Sequence, residues 1–84
     1  MPRYFFHVYN SVGATHDADG LDLNDLAAAK LQAIAGIRSI VSTEAAEGRI
    51  HLDGRIDIAT DNGDVRLVVR FAEAFDLQLG PSRD

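Results

Sequence analysis

LAAAKLQAIAGIRSIVSTEAAE, residues 26–47, is the stretch that decides the fold, because it contains no proline and is rich in alanine. Apolar residues recur through it at helical spacing, and polar residues occupy the opposite face. Asn24 or Asp25 is a good N-cap, and Gly48 is placed to end the helix. The stretch predicts one helix, roughly 33 Å long at 1.5 Å per residue, which can cover a small sheet.

Two extended segments precede this helix. Residues 3–9, RYFFHVY, are rich in aromatic and β-branched side chains and run into turn residues, which predicts a strand. A second strand is predicted over residues 14–23, with a bulge or turn at Gly20.

The clearest hairpin in the chain follows the helix. Residues 55–60 and 65–71 each alternate apolar and polar side chains, as strands with one buried face do. Between them, the Asn62-Gly63 pair suits a type I′ turn, which needs positive φ at both central residues.

The resulting order is β-β-α-β-β, and the helix is the only element that can cover the apolar side of both hairpins. We therefore predict an α+β fold, a two-layer sandwich of one four-stranded, largely antiparallel sheet with a single long helix on one face. Residues 1–79 are expected to form one domain and residues 80–84 a flexible C-terminal tail. The strand phase predicts that Phe6, Ile34, Leu67 and Val69 are among the most buried residues.

Composition narrows the classes of function. The chain has 84 residues, no cysteine and a net charge of −5. The absence of cysteine excludes disulfides and thiolate chemistry, and the acidic balance disfavours non-specific binding to nucleic acid. Neither a signal-like segment nor an apolar run of the ~20 residues that span a bilayer is present, so we expect a cytoplasmic protein that does not contact membranes.

No motif points to catalysis. The stretch 15–20, THDADG, departs from a calcium loop at three positions. His7, His16 and His51 lack the spacing of metal ligands, and there is no nucleophile elbow or phosphate-binding loop. We therefore expect a non-enzymatic protein with no catalytic residue, no metal site and no cofactor.

The sheet face that points away from the helix, the open sheet face, is the main candidate binding surface. Aromatic side chains rarely stay uncovered on a monomer, and aromatics interleaved with arginines also resemble platforms for single-stranded RNA. A second subunit, the tail residues Phe75, Leu77 and Leu79, a partner protein or a nucleic acid could each cover this face. The strand phase places six residues on it: Phe5, His7, Tyr9, Arg66, Val68 and Arg70.

A strip of mostly small residues along the helix is a second candidate. It consists of Ala29, Ala33, Gly36 and Ile40. Close packing of the strip on the chain's own sheet is the favoured interpretation, and a helix–helix dimer contact is the alternative. Because so short a chain has a thin core, we expect a homodimer that uses either the open sheet face or the helix.

The opening MPRYFFH, residues 1–7, resembles a family of short alphaproteobacterial proteins, domain of unknown function 6894. The stretches DADGLDL, residues 17–23, and DLAAA, residues 25–29, and the late hairpin ending near Phe71 also resemble it. The chain departs from the family pattern at Asn24 and Arg70, where proline is expected. Neither departure threatens the predicted fold, and the resemblance implies no activity, cofactor or catalytic residue.

The sequence thus favours a small binding or regulatory module that acts through protein–protein contacts as a homodimer. The partner is expected to be a second copy of the chain or another protein. An RNA- or DNA-binding accessory protein using the open sheet face is the alternative from another class.

Overall fold

The long helix is α1, Leu26–Ala46, in the computed structural model, which describes residues 1–81. Its N-cap is Asp25, whose carboxylate accepts a hydrogen bond from the Ala28 N–H at 2.8 Å. Just beyond its end, Gly48 has φ +89°, a left-handed conformation that glycine adopts without strain. The predicted helix and both of its end signals are therefore confirmed.

The strands form one antiparallel sheet under this helix. Their bounds are β1 Arg3–Asn10, β2 Gly13–Thr15, β3 Leu21–Asp22, β4 Arg55–Ala59 and β5 Val65–Arg70, and a 3₁₀ turn follows at Phe71–Ala74. The strand order is β2-β1-β4-β5, and β3 also pairs with β1. The predicted α+β sandwich is confirmed, but the second predicted strand is split into β2 and β3, so the sheet has five strands.

The core lies between α1 and the sheet. The helix contributes small and branched residues, and the sheet side contributes larger ones; together they are Ala29, Ala33, Ile37, Val41, Tyr4, Ile56, Ile58, Val69 and Phe71. The predicted strand phase is therefore correct. Of the four residues expected to be most buried, only Val69 is fully enclosed, whereas Phe6, Ile34 and Leu67 pack at the margin of the core.

The turn between β4 and β5 differs from the prediction. The Thr60 N–H donates to the Asp64 carbonyl and the Gly63 N–H donates to the Thr60 carbonyl, both at 2.9 Å, which closes a three-residue loop. Gly63 has φ +86°, and Asn62 does not have positive φ. The type I′ prediction is therefore wrong, because the longer loop needs only one left-handed residue, and glycine occupies that position.

The predicted C-terminal tail is only partly described. Residues 75–81 lie outside any helix or strand. Residues 82–84, which belong to the tail predicted at 80–84, lie outside the described residues.

Candidate binding surfaces

The register of β1, β4 and β5 defines the open sheet face. His7 lies opposite Asp57, which lies opposite Val68, and residues directly opposite each other share a face. The same register aligns Tyr9, Arg55 and Arg70 in one row and Phe5, Ala59 and Val65 in another. Five of the six predicted residues are therefore brought together: Phe5, His7, Tyr9, Val68 and Arg70.

Arg66 is the predicted member that the strand register leaves without a partner. The β4–β5 register shifts between Ile58 and Ala59, so that Ile58 pairs with Leu67 and Ala59 pairs with Val65. Arg66 is the extra residue of this bulge, and it lines a cavity with Tyr4 and Leu26 at the start of the helix. Its assignment to the open sheet face stays a prediction, and the residue whose face the bulge changes is Val65, which now pairs with Ala59.

Arg55, which sequence reasoning did not select, changes the electrostatics of the open sheet face. Its Nε lies 2.9 Å from Asp57 Oδ1, and its guanidinium carbon lies 4.4 Å from the centroid of the Tyr9 ring. The ion pair neutralises one arginine, and the stacked guanidinium covers part of Tyr9. The signal for this contact was the alternation of Arg55 and Asp57 on one strand, which places both side chains on one face.

A strap of residues 16–20 crosses the outer edge of β1 between β2 and β3, and Asp17 holds it. Its Oδ2 accepts a hydrogen bond from the Phe6 N–H at 3.1 Å, so a carboxylate occupies the place of a neighbouring strand. Its Oδ1 accepts hydrogen bonds from the Asp19 and Gly20 N–H groups, each at 3.1 Å. The second predicted strand is split because these side-chain bonds replace the backbone ladder here.

The hydrogen bonds to Asp17 also set its charge state. Partial burial disfavours the charged form, but the three N–H donors and the nearby His7 outweigh that effect and hold the pKa of Asp17 below its ordinary value of 3.8. At the end of the strap, the Arg3 guanidinium bonds to Asp22 and lowers the pKa of that exposed carboxyl as well. The strap and the strand β3 that follows it are thus each fastened to β1 by a carboxylate that is charged at neutral pH.

The β1–β2 hairpin brings together two histidines that are nine positions apart in sequence. The rings of His7 and His16 are stacked, with centroids 4.0 Å apart and an interplanar angle of 13°. His7 Nδ1 accepts a hydrogen bond from the Asp17 N–H at 3.1 Å, so that nitrogen already has a partner. The antiparallel pairing of Val8 with Thr15 explains the approach, because His7 directly precedes Val8 and His16 directly follows Thr15.

The small-residue strip of the helix packs on the chain's own sheet. Ala29 is 0% exposed and Ala33 is 1% exposed, so neither presents surface to a partner helix. A Cβ added at Gly36 would lie 4.0 Å from Ile56 Cδ1, which is ordinary packing distance. The alternative that this strip forms a dimer face is therefore wrong at Ala29 and Ala33, while Gly36 and Ile40 line a cleft of about 360 Å³ beside the edge of β1.

The C-terminal residues that the structure describes, up to residue 81, do not cover the aromatic side chains of the open sheet face. Phe75 packs against the core, and Phe75 and Leu77 line a groove with Val41 and Ala45 of the helix. Arg38 Nε donates a hydrogen bond to the Ala74 carbonyl at 2.8 Å and so directs the chain toward the helix. Phe5 and Tyr9 are half-buried instead by the strap and by Arg55, since a Cβ at Gly20 would lie 2.9 Å from the Phe5 ring.

Two further observations concern metals and membranes. Within residues 1–81, no three His, Cys, Asp or Glu side chains lie close enough together to hold a metal ion. The part of the chain that the structure describes also contains no helix both long and apolar enough to cross a bilayer.

Comparison of the sequence with known proteins identifies the family of this chain. The sequence model of DUF6894, a domain of unknown function, matches residues 3–72, which is most of the chain. The chain belongs to this family. Neither a curated protein nor a solved structure matches it.

Proposed function

We propose that this protein is a small non-enzymatic binding or regulatory module that acts through protein–protein contacts as a homodimer. In this proposal the open sheet face receives the partner protein. The setting we propose, the cytoplasm of a bacterium and in particular of an alphaproteobacterium, is supported by the sequence expectations alone.

The observation that carries the proposal is the apolar surface that β5 adds to the open sheet face. Val65 is 50% exposed and Val68 is 39% exposed, and both lie in rows that continue into Phe5 and His7 on β1. Asp57 lies within the row of Val68 and His7, and its partner Arg55 lies in the next row beside Tyr9. An apolar centre with charges that are already paired is typical of a surface that another protein covers.

The charges also distinguish this proposal from nucleic-acid binding. An RNA platform needs free cations beside its aromatic rings, because phosphate neutralisation supplies most of its affinity. Arg55 is bonded to Asp57 and stacked on Tyr9, so a cation beside the aromatic rings of this face is already matched by a carboxylate. The net charge of −5 disfavours phosphate binding further.

Affinity capture with matched variants tests the proposal. The wild-type chain and a Val68→Glu variant are immobilised and exposed to lysate of the source cell, with and without nuclease. We expect wild type to retain a protein that Val68→Glu releases, and nuclease to leave that protein bound. Leu31→Glu is the control, because Leu31 is 69% exposed on the helix, away from the open sheet face.

Two outcomes would contradict the proposal. Equal capture by wild type and Val68→Glu would show that the open sheet face is not the binding surface. Capture that nuclease abolishes would favour the alternative, an RNA- or DNA-binding accessory protein.

A further inference from the structure

The residues that follow the 3₁₀ turn have the pattern of a strand but no strand partner. The tail segment, residues 75–79 with the sequence FDLQL, alternates apolar and polar side chains, a pattern typical of a half-buried strand. Phe75 begins it in an extended conformation, φ −135° and ψ 147°. Within the described residues, no strand of the sheet pairs with it.

Exposed apolar side chains lie in and beside the tail segment. Leu79 is 88% exposed, Ile50 is 64% exposed and Leu77 is 59% exposed. Phe75, Leu77 and Ile50 line the groove against the helix, whose volume is about 230 Å³. A single subunit thus leaves room for another apolar side chain beside Phe75.

We infer that the tail segment pairs with its own copy in a second subunit, as an antiparallel two-stranded ribbon whose two-fold axis passes through Leu77. In this register Leu77 lies opposite the partner's Leu77, and Phe75 lies opposite the partner's Leu79. The partner's Leu79 then enters the groove that Phe75 lines, and the same contact is repeated on the other side of the axis. This inference rests on the proposed homodimer and names its interface.

Side-chain complementarity selects this register over its neighbours. It places Asp76 opposite the partner's Gln78, whose amide can donate a hydrogen bond to the carboxylate. The same two residue types already form this bond within one chain, where Gln78 Nε2 donates to Asp76 Oδ2 at 3.1 Å. Sliding by two residues in one direction would place Asp76 opposite the partner's Asp76, which is repulsive. Sliding in the other direction would place Phe75 opposite the partner's Pro81, and any odd shift would face apolar side chains with polar ones.

The location also avoids the acidic surface of the molecule. A chain with net charge −5 repels its own copy, so a dimer contact needs a region with few acids. Asp76 is the one charged residue of the tail segment, and Arg38 lies at the groove. The tail segment lies beyond residues 3–72 that match the family, so the inference concerns this chain rather than the family.

Disulfide trapping tests the register directly, because the chain has no cysteine and a single introduced cysteine can bridge only between subunits. In the proposed ribbon the two copies of residue 77 face each other at roughly 5 Å between Cα atoms, within the range of a disulfide. The two copies of residue 79 are displaced by four residues, roughly 14 Å, which is too far. We expect Leu77→Cys to form a disulfide-linked dimer at least ~10-fold faster than Leu79→Cys, although residue 79 is the more exposed.

Sedimentation velocity of matched double variants tests the interface. We expect Leu77→Asp/Leu79→Asp to weaken dimerisation roughly 30-fold or more. Val12→Asp/Leu31→Asp, which also replaces two exposed apolar residues, should leave it unchanged. Circular dichroism should show both variants folded, since all four side chains are more than half exposed.

The outcomes separate this inference from the proposed function. If wild type is a dimer and Leu77→Asp/Leu79→Asp is still a dimer, or if Leu79→Cys crosslinks as fast as Leu77→Cys, the ribbon is wrong while the homodimer stands. If wild type is a monomer at every concentration, the homodimer itself is wrong and the ribbon with it.

Discussion

No continuous strand pairs with the outer edge of β1, and the Asp17 carboxylate bonds to the β1 backbone there instead. Replacing Asp17 with alanine should remove this hydrogen bond and destabilise the fold. The change deletes the acceptor of the Phe6, Asp19 and Gly20 N–H groups. Phe6 is half-buried, and between β2 and β3 no strand carbonyl reaches its N–H. The Asp19 N–H is exposed, so water can replace the carboxylate there, whereas the Gly20 N–H is part-buried.

The expected loss follows from these positions. A hydrogen bond to a charged acceptor contributes about 1.5–3 kcal/mol, and a buried donor left unpaired costs about 1–3 kcal/mol. Because the bond from the Asp19 N–H is exposed to solvent, it is discounted, and we expect Asp17→Ala to lose about 2–4 kcal/mol. That is a large fraction of the stability of a domain of this size.

Urea denaturation followed by far-ultraviolet circular dichroism measures this loss. Asp19→Ala is the matched control, because Asp19 lies two residues away and contributes its backbone carbonyl rather than its carboxylate, accepting from Arg3. It should lose less than about 0.5 kcal/mol. Equal losses in the two variants would refute the account of the strap.

The same pair of proteins gives a pH dependence. The pKa of Asp17 is lowered in the folded chain, so its contribution is complete above the ordinary carboxyl value of 3.8 and disappears as pH falls below it. The stability difference between wild type and Asp17→Ala should therefore stay constant from pH 7 to about pH 5 and shrink below about pH 4. A difference that grows on acidification would show that the carboxylate is not stabilised by the fold.

Three further substitutions test the core and the turns. Ile58→Ala, at a position 0% exposed, should lower the free energy of unfolding by about 3–4 kcal/mol in urea denaturation. Leu67→Ala, at the core margin, should lower it by less, and the reverse order would contradict the position of the core described above. Gly54→Ala would bring a Cβ within 2.8 Å of the Tyr9 carbonyl, so the end of β1 must move, and we expect a loss of about 1–3 kcal/mol by the same assay. Gly63→Val should lower Tm by about 4–8 °C or more because φ there is +86°, and an unchanged Tm in calorimetry would contradict the turn described.

The elements of the fold that depend on local chemistry could be predicted from the sequence. Asp25 and Gly48 bound the helix because capping and left-handed backbone have recognisable residue preferences. The two faces of β1 and β4 could be separated because side-chain direction in a regular strand alternates with sequence position. Most of the open sheet face could therefore be predicted from the sequence.

The remaining features depend on contacts between distant residues. Nothing in the local sequence of β5 indicates that Arg66 is the extra residue of a bulge, since its register is set against Ile58 and Ala59 on another strand. The strap could not be predicted as a break in the sheet, because the Asp17 side chain bonds to the Phe6 backbone eleven residues earlier. The path of Phe75 toward the helix follows from the bond between Arg38 and Ala74, which are 36 residues apart.

Sedimentation equilibrium of the unmodified full chain tests the central claim, that the protein acts as a homodimer, most directly. The account predicts a mass twice the 9.1 kDa of one chain, with dissociation only on dilution. A mass that stays at 9.1 kDa up to the highest attainable concentration would contradict it.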